Sequence, residues 1–332
     1  MKTSILGLNN KDRGMSKIEK IEHLIIDKDD KGNISVLSTP SSSLSIRIAD
    51  ITFTIISVDP GLKLTTEEET RKFLVHETNP DIAIEVRWDD LSTKEAQGKK
   101  IFNSGGVWQL YQRDENFIFR FGYEALGSIP YKIAHVRKDF TRGEISLHKK
   151  YFDTDQPIYP LEYPLDQIVF INFLTLGKGV EIHACGLVDF MGRGHLFVGQ
   201  SGSGKTTMAR LWQDEPNVTI LSDDRIVLRK LGEEIWMFGT PWHGESRFAS
   251  TKGVPLKRIY FLSHGQKNDL VRQEETRGIA RLLACSFLPF YSPEAINFAL
   301  GFFEEVVRAA SCYELRFLPN KEVLEFIMKN ED

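Results

Sequence analysis

The chain has few of the features that mark secreted, metal-stabilised or membrane proteins. Among its 332 residues there are three cysteines, Cys185, Cys285 and Cys312, which are widely spaced and set among apolar residues. An odd number at such spacing argues against a disulfide framework or a zinc site. The longest apolar run, residues 168–176, is interrupted and too short to span a bilayer, and the N-terminal apolar stretch is too brief for a signal peptide. We therefore predict a cytoplasmic protein without a membrane anchor.

Neither sign of charge dominates the composition. Lys and Arg number 42 and Asp and Glu number 46, which gives a formal net charge of -4. This balance argues against a general binder of nucleic acid, which would present an excess of basic residues. The hydrophobic share of 41% and the charged share of 27% are typical of a globular protein, and the length suits about two domains.

The pattern of the chain changes at a proline-rich stretch between residues 153 and 164. Proline cannot continue a helix, so three prolines there indicate a boundary. Before the boundary, apolar and polar residues alternate with the period of a β-strand. The clearest such segments are 44–48, 51–55, 83–87, 117–121 and 144–148. We predict a flexible polar arm over residues 1–20 and a β-rich α+β domain over residues 21–160, suited to acceptor recognition or another interaction.

Helical and strand-like segments alternate in the second half, residues 161–332. Helices are predicted over 166–176, the residues up to 213, 276–287, 293–310 and 320–329. Strands are predicted over 180–184, 186–190, 195–198, 218–221, 226–230, 235–238, 256–262 and 313–317. This order predicts an α/β nucleotide-binding domain.

Residues 199–206 read GQSGSGKT and lie between an apolar strand and a helical segment. They match the pattern of a phosphate-binding loop, in which glycines let successive backbone N–H groups point at phosphate oxygens. Lys205 then reaches the outer phosphates, and the Thr206 hydroxyl is placed to ligate Mg²⁺. The predicted nucleotide-binding residues are Gly199, Ser201, Gly202, Ser203, Gly204, Lys205, Thr206 and Thr207.

Asp223 and Asp224 end an apolar strand 18 residues after Lys205. Ligands of open α/β sheets bind beyond the carboxyl ends of the strands, so this strand can deliver both carboxylates to the γ-phosphate of a bound nucleotide. One carboxylate can hold Mg²⁺ and the other can accept the proton of an attacking hydroxyl. The sequence leaves open which does which, and the predicted catalytic residues are Asp223, Asp224 and Lys205.

A loop with several glycines, residues 239–247, carries three further polar candidates, which are His243, Glu245 and Arg247. Glu245 can serve as another carboxylate on the metal side, which makes the predicted metal ligands Thr206, Asp223 and Glu245. Arg247 can neutralise charge on transferring phosphoryl oxygens. An ordinary polar loop remains the equal alternative. His183 lies inside an apolar strand, where we predict a core histidine.

Residues 184–207, together with the Leu-Ser-Asp-Asp of 221–224, resemble the catalytic domain of HPr serine kinase/phosphorylase and its HPr-kinase-like relatives. The segment is especially similar to the branch encoded with peptide-modification clusters, such as the lasso-peptide kinases, in which the Gly-Thr-Pro-Trp of 239–242 also occurs. The resemblance covers roughly residues 161–327. It implies ATP- and Mg²⁺-dependent phosphorylation of a hydroxyl, usually seryl, on a protein or peptide. These relatives are often oligomeric, so the resemblance also allows a homo-oligomer.

The chain departs from the HPr enzyme itself at several places. Thr206 and Thr207 stand where that enzyme usually has Ser-Glu, and its Arg-Gly-containing phosphorylase signature is not found in the later sequence. The resemblance therefore implies a kinase without implying the reverse reaction or HPr as the acceptor.

Other functions share parts of this pattern. Transporter ATPases use a similar loop, but the chain lacks their Leu-Ser-Gly-Gly signature. A small-molecule alcohol kinase would use the same loop and carboxylates. A nucleotide-binding regulator or scaffold would bind ATP without turnover, and substitution of Asp224 would not weaken that binding.

Overall fold

The computed structural model describes residues 24–28, 34–38, 43–92, 98–122 and 129–330. The fold in these ranges is mixed α/β, with two nine-stranded sheets and five α-helices. The strands β1 (Leu24–Lys28) and β2 (Ile34–Ser38) form a separate antiparallel pair. The predicted arm over residues 1–20 lies outside the described residues.

The first sheet is built from the N-terminal half of the chain. Its strands are β3 (Ser43–Ile48), β4 (Ile51–Ser57), β5 (Leu74–Val75), β6 (Ile82–Asp89), β7 (Lys99–Asn103), β8 (Trp108–Arg113), β9 (Asn116–Phe121), β10 (Lys132–Arg137) and β11 (Arg142–His148). They are ordered β5-β3-β4-β6-β11-β10-β9-β8-β7. The pairs β4–β6 and β6–β11 are parallel, and the remaining neighbours are antiparallel.

Alternation of side chains explains why the predicted strands form. In β6, for example, Ile82, Ile84 and Val86 are buried while the residues between them are more exposed, as expected when one face of a sheet covers a core. All five strand segments predicted in this half are confirmed. The structure adds β1, β2, β5, β7, β8 and β10 to them.

Helix α1 (Leu165–Leu174) completes the core of the first sheet. Its Phe170 is fully buried, with its ring centroid 6.3 Å from that of Phe53 and 5.3 Å from that of Trp242. The helix follows the proline-rich stretch, and Trp242 comes from the loop predicted at 239–247. The first core therefore draws on residues from both sides of position 160.

The second sheet holds the remaining strands. These are β12 (Val180–Val188), β13 (Gly194–Val198), β14 (Thr219–Ser222), β15 (Arg225–Leu231), β16 (Glu234–Phe238), β17 (Gly253–His264), β18 (Asp269–Arg272), β19 (Ser286–Phe287) and β20 (Ser311–Phe317). Along the main path the order is β13-β12-β15-β16-β17-β20-β18, and β13 also pairs with β17. The pairs β13–β17 and β17–β20 are parallel. Antiparallel strands surround this parallel centre.

Helices cover both faces of the second sheet. The helices are α2 (Lys205–Trp212), α3 (Glu275–Ala284), α4 (Pro293–Ala309) and α5 (Glu322–Lys329). Buried residues of α2 and α5 share one hydrophobic cluster, and those of α3 and α4 share another. In β13, Phe197 belongs to the first of these clusters while Leu196 and Val198 belong to the second. This alternation places the sheet between two helical layers.

Two local predictions for the second half are wrong, and one strand was missed. Residues 180–190 were expected to form two strands, but β12 is continuous because Gly186 provides no turn and instead packs closely on Ile226, whose Cδ1 lies 2.5 Å from the position of an added Cβ. The helix expected to reach residue 287 ends at Ala284, and β19 follows it. Strand β18 was not predicted at all.

None of the helices in the described part of the chain combines the length and apolar composition needed to cross a bilayer.

Truncation of Phe170 tests the shared core. Phe170→Ala removes a fully buried ring between Phe53 and Trp242, so we expect the free energy of unfolding to fall by about 3–5 kcal/mol. Phe290→Ala is the matched control, because the Phe290 ring is 68% exposed. Urea unfolding followed by circular dichroism measures both. Equal transition midpoints for the two variants would contradict the packing described for α1.

Candidate functional site

The loop 199–206 runs from the end of β13 into α2. Gly202 and Gly204 have φ angles of +82° and +100°, in the left-handed region that favours glycine. Gly204 is also the N-cap of α2, and no side chain caps this helix. The backbone N–H groups of the first helical turn have no acceptors within the helix. The loop therefore has the curvature and the free donors that the sequence predicted.

Close packing also favours glycine at positions 199 and 204 of the loop. A Cβ on Gly199 would lie 2.1 Å from Ser203 Oγ, and one on Gly204 would lie 2.7 Å from the Phe317 ring. His264, which ends β17, donates from Nε2 to the Gly202 carbonyl at 2.9 Å. Residues at the ends of β17 and β20 therefore contact the loop.

Lys205 is buried and points back along its own loop. Its Nζ donates to the carbonyl oxygens of Gly199 at 2.8 Å and Gln200 at 3.1 Å. Burial lowers the pKa of the Lys205 ammonium, and the negative charge of Asp224 opposes that shift. The ammonium is thus held inside the curve of the loop, within electrostatic reach of an acidic neighbour.

The loop fits a polyphosphate by two observations. Ser203 Oγ is buried and has no hydrogen-bond partner among the described residues, so it can donate to a bound oxygen. The positive end of α2 and the Lys205 ammonium both favour negative charge at this point. Gly202 has nothing within 4 Å of an added Cβ, so the outer side of the turn is open.

Asp223 and Asp224 occupy a break between two strands. Both β14 and β15 pair with β12, one after the other, and the two aspartates lie where the first ends and the second begins. Ser222 Oγ fixes this turn by accepting hydrogen bonds from the backbone N–H groups of Asp224 and Arg225, each at 3.2 Å. The break places the two aspartates beside the middle of β12, where His183 lies, and their side chains point in different directions.

Asp223 is buried, and its side chain is enclosed by the loop that contains Gly244 and Ser246. The residue is 1% exposed, and its two carboxylate oxygens accept from the backbone N–H groups of Gly244 at 3.1 Å and Ser246 at 3.3 Å. A Cβ on Gly244 would lie 2.8 Å from Asp223 Oδ2, so only glycine fits there without displacing the carboxylate.

Asp224 faces the other way and is partly exposed. Its Oδ1 lies 3.0 Å from His183 Nε2, and its Oδ2 accepts from the Arg225 guanidinium. Burial raises the pKa of the Asp224 carboxyl, but His183, Arg225 and Lys205 together outweigh burial and lower it. Asp224 is therefore an ionised carboxylate beside a histidine, and its charge acts on Lys205. Lys205 and Asp224 therefore interact electrostatically across the site.

Glu245 stands apart from the other predicted metal ligands. Its side chain is 90% exposed, and its nearest ionic partner is Arg210, with 3.9 Å between Oε2 and Nη2. Across the residues that the structure describes, no three His, Cys, Asp or Glu side chains converge as a ready metal centre.

Sequence reasoning missed two polar contributors. His183 was predicted as a core histidine but is half-buried and hydrogen-bonded to Asp224. Arg225 was not considered, although it binds Asp224 and lies 3.5 Å from Glu181 Oε1 through its Nε. Its position directly after the paired aspartates was the available signal. The antiparallel register, which places His183 opposite Arg225, was not readable from the sequence.

Two buried carboxyls lie behind the site. Glu181 on β12 accepts from Gln167 Nε2 at 2.5 Å, and burial raises its pKa to about 8 despite the nearby Arg225. Asp166 accepts from Trp242 Nε1 at 2.8 Å, and burial raises its pKa to about 7. Near neutral pH, these groups hold protons that the unfolded chain would release.

The raised pKa of Glu181 makes stability depend on pH. Its ordinary pKa is 4.5, so between about pH 4.5 and pH 8 the folded state binds more protons than the unfolded state. The free energy of unfolding therefore falls as pH rises through this window, by at most ~1.4 kcal/mol per pH unit for one group. We expect Glu181→Gln to flatten the curve of urea-unfolding free energy against pH between 5 and 8.

The control for this comparison is Glu233→Gln, which removes an exposed carboxyl. Its stability curve should run parallel to that of the wild type. Parallel curves for Glu181→Gln and the wild type would contradict the raised pKa.

Comparison with solved structures found similar chains, whereas the two sequence comparisons, with family models and with curated proteins, found no match. Among solved structures, the chain is similar to the HPr(Ser) kinase/phosphatase from Coxiella burnetii, with 10% sequence identity and a TM-score of 0.26 over 45% of this chain and 94% of that one. A TM-score of this size does not establish a common fold.

Proposed function

We propose that the chain is an ATP- and Mg²⁺-dependent kinase that transfers the γ-phosphoryl group to a hydroxyl, seryl in type, of a protein or peptide. The observation that carries the proposal is the curved 199–206 loop, which holds the Lys205 ammonium and a Ser203 hydroxyl without a partner in the described part of the chain, and has the ionised Asp224 within electrostatic reach. Phosphoryl transfer needs positive groups around the transferring phosphate and a carboxylate at the attacking hydroxyl. This site supplies both.

The loop residues bind and orient the nucleotide in this proposal. The N–H groups at the start of α2 and the Ser203 hydroxyl hold phosphate oxygens, and Lys205 turns from its own carbonyls to the outer phosphates. Thr206 and Asp223 hold the metal ion, which neutralises charge on the phosphates. The open side of Gly202 leaves room for the rest of the nucleotide.

Asp224 is the group that accepts the proton of the attacking hydroxyl. It is ionised, partly exposed and within electrostatic reach of Lys205, whereas Asp223 is enclosed by loop amides. The hydrogen bond from His183 Nε2 and the contact with Arg225 fix the plane of its carboxylate. An aspartate accepts the substrate proton in protein kinases in the same way.

The division of labour along the chain is also part of the proposal. Residues 161–332 form the kinase unit, and residues 21–160 present the acceptor to it. The motivation is that the loop following Asp223 contacts the N-terminal half directly, through Glu69. An acceptor held by the first sheet would therefore lie next to the paired aspartates.

Transfer of label from γ-labelled ATP tests the chemistry. With Mg²⁺ and candidate acceptor peptides, we expect a labelled product whose phosphorylated residue is identified by mass spectrometry. Lys205→Ala should abolish transfer, because the ammonium on the outer phosphates is lost. Asp224→Asn should retain nucleotide binding but lower transfer by at least ~10²-fold, the usual contribution of a positioned general base.

The matched control is Asp214→Asn, which removes an exposed carboxylate after α2 and should leave transfer unchanged. Label on a small alcohol with none on peptides would favour the small-molecule kinase. Tight ATP binding with no transfer to any acceptor, unaffected by Asp224→Asn, would favour the regulator and refute the kinase.

A further inference from the structure

The segment of residues 242–247, here called the 242–247 loop, connects Asp223 to the N-terminal half of the chain. On one side its backbone holds the Asp223 carboxylate through Gly244 and Ser246. On the other side its residues bind Glu69 and Asp166. The loop therefore has anchors both within the candidate site and outside it.

The Asp223 end of the loop leaves little freedom. Two N–H groups that lie two residues apart bind the two oxygens of one carboxylate. Gly244 has no room for a Cβ because Asp223 Oδ2 would be 2.8 Å from it. The Asp223 side chain is buried, so these amides are the donors that compensate its charge. Any displacement of the loop must therefore change how the carboxylate is held.

The outer end of the loop is bound by one carboxylate. Glu69 begins a short 3-10 helix, Glu69–Phe73, of the N-terminal half. Its Oε1 lies 3.0 Å from Arg247 Nε and its Oε2 lies 3.6 Å from His243 Nε2, so one side chain pairs with both edges of the loop. The Glu69 side chain is only 12% exposed and His243 is 22% exposed, whereas the Arg247 side chain is 64% exposed, so solvent screens the contact with Arg247 more than the contact with His243.

The backbone at the outer end of the loop has an unfavourable conformation. Arg247 has a φ angle of +54°, in the left-handed region that non-glycine residues rarely adopt. Its N–H donates to the Gly244 carbonyl at 3.3 Å, which closes the loop. An unfavourable backbone conformation persists only where surrounding contacts impose it, and the ion pair with Glu69 is a contact of that kind.

A second anchor holds the loop at its start. Trp242 donates from Nε1 to Asp166 on α1, and its carbonyl accepts from Ser222 and Thr240. Ser222 is also the residue whose hydroxyl fixes the turn at the aspartates. With its start anchored in the shared core, the loop is held at its far end by Glu69 and by Arg210, whose Nε donates to Ser246 Oγ at 3.0 Å.

We propose that Glu69 is a positioning residue for Asp223, so that the N-terminal half of the chain controls the inner carboxylate of the site through the 242–247 loop. The proposal concerns the loop and the carboxylate, and only its activity readout rests on the proposed kinase function. In the kinase, a displaced Asp223 weakens metal binding more than it weakens binding of the nucleotide. The N-terminal half then acts on catalysis as well as on the acceptor.

Hydrogen exchange of the full chain tests the mechanical part. In Glu69→Gln, we expect the backbone amides of the 242–247 loop to exchange about tenfold faster, the scale for losing a charge-assisted hydrogen bond. Glu68→Gln is the matched control, because it removes the neighbouring carboxylate, which is exposed. It should leave exchange of the loop unchanged. Unchanged exchange in Glu69→Gln overturns the proposal, whatever reaction the protein catalyses.

A double-mutant comparison tests the coupling to Asp223. In the γ-labelled ATP assay, Glu69→Gln should raise the Mg²⁺ concentration needed for half-maximal rate about fivefold or more, while the rate at saturating Mg²⁺ stays within about twofold. Adding Glu69→Gln to Asp223→Asn should then have no further effect. A purely structural role predicts effects that multiply, and that outcome overturns the proposal.

The two proposals fail in different ways. If the wild-type chain transfers no label, the kinase function fails, while hydrogen exchange still decides whether Glu69 holds the loop. If the wild type transfers label and Glu69→Gln changes neither loop exchange nor the Mg²⁺ requirement, the positioning role fails and the kinase function stands.

Discussion

Two adjacent carboxylates, Asp223 and Asp224, must both be accommodated at one interruption of a largely buried sheet, and this constraint organises the site. A buried charge needs partners, because desolvation without compensation is costly. The partners come from different directions. Asp224 receives His183 from β12 and its own neighbour Arg225, while Asp223 receives backbone amides from the 242–247 loop. Satisfying the pair therefore ties one strand and one loop to a single turn.

The same constraint connects the site to both cores. The loop that supplies amides to Asp223 begins at Trp242, whose ring lies against Phe170 of α1 in the core of the first sheet. On the other side, the turn of the aspartates lies next to Lys205 and the parallel centre of the second sheet. Packing of the two cores thus sets the distance between the phosphate loop and the N-terminal half.

Buried protonated carboxyls accompany this arrangement. Asp166 and Glu181 lie behind the ionised Asp224, where a third and fourth negative charge would be unfavourable in a medium of low polarity. Burial raises their pKa values, so near neutral pH Glu181 is largely protonated and Asp166 is protonated in part. The negative charge of the site is therefore concentrated at the turn, close to Arg225 and Lys205.

Features that depend on neighbouring residues alone could be predicted from the sequence. The glycine spacing of 199–206 requires a curved backbone before a helix, and the structure has positive φ angles at Gly202 and Gly204. Strict alternation in segments such as β6 determined which face is buried, since the period of a strand is two. The sequence also predicted that the aspartates follow a strand, because they come directly after a short apolar run.

Contacts between residues far apart in the sequence follow from the folded arrangement of the strands and loops. His183 faces Asp224 because of the antiparallel register of β12 and β15, and a one-residue slip would have sent its side chain to the opposite face. Glu69 contacts Arg247, which lies far along the sequence, and no local pattern indicates that these two residues pair. Their partnership depends on the packing of α1 and Trp242 in the first core. Local propensity carries no information about contacts made at such separation, so this part of the site could be learned only from the folded chain.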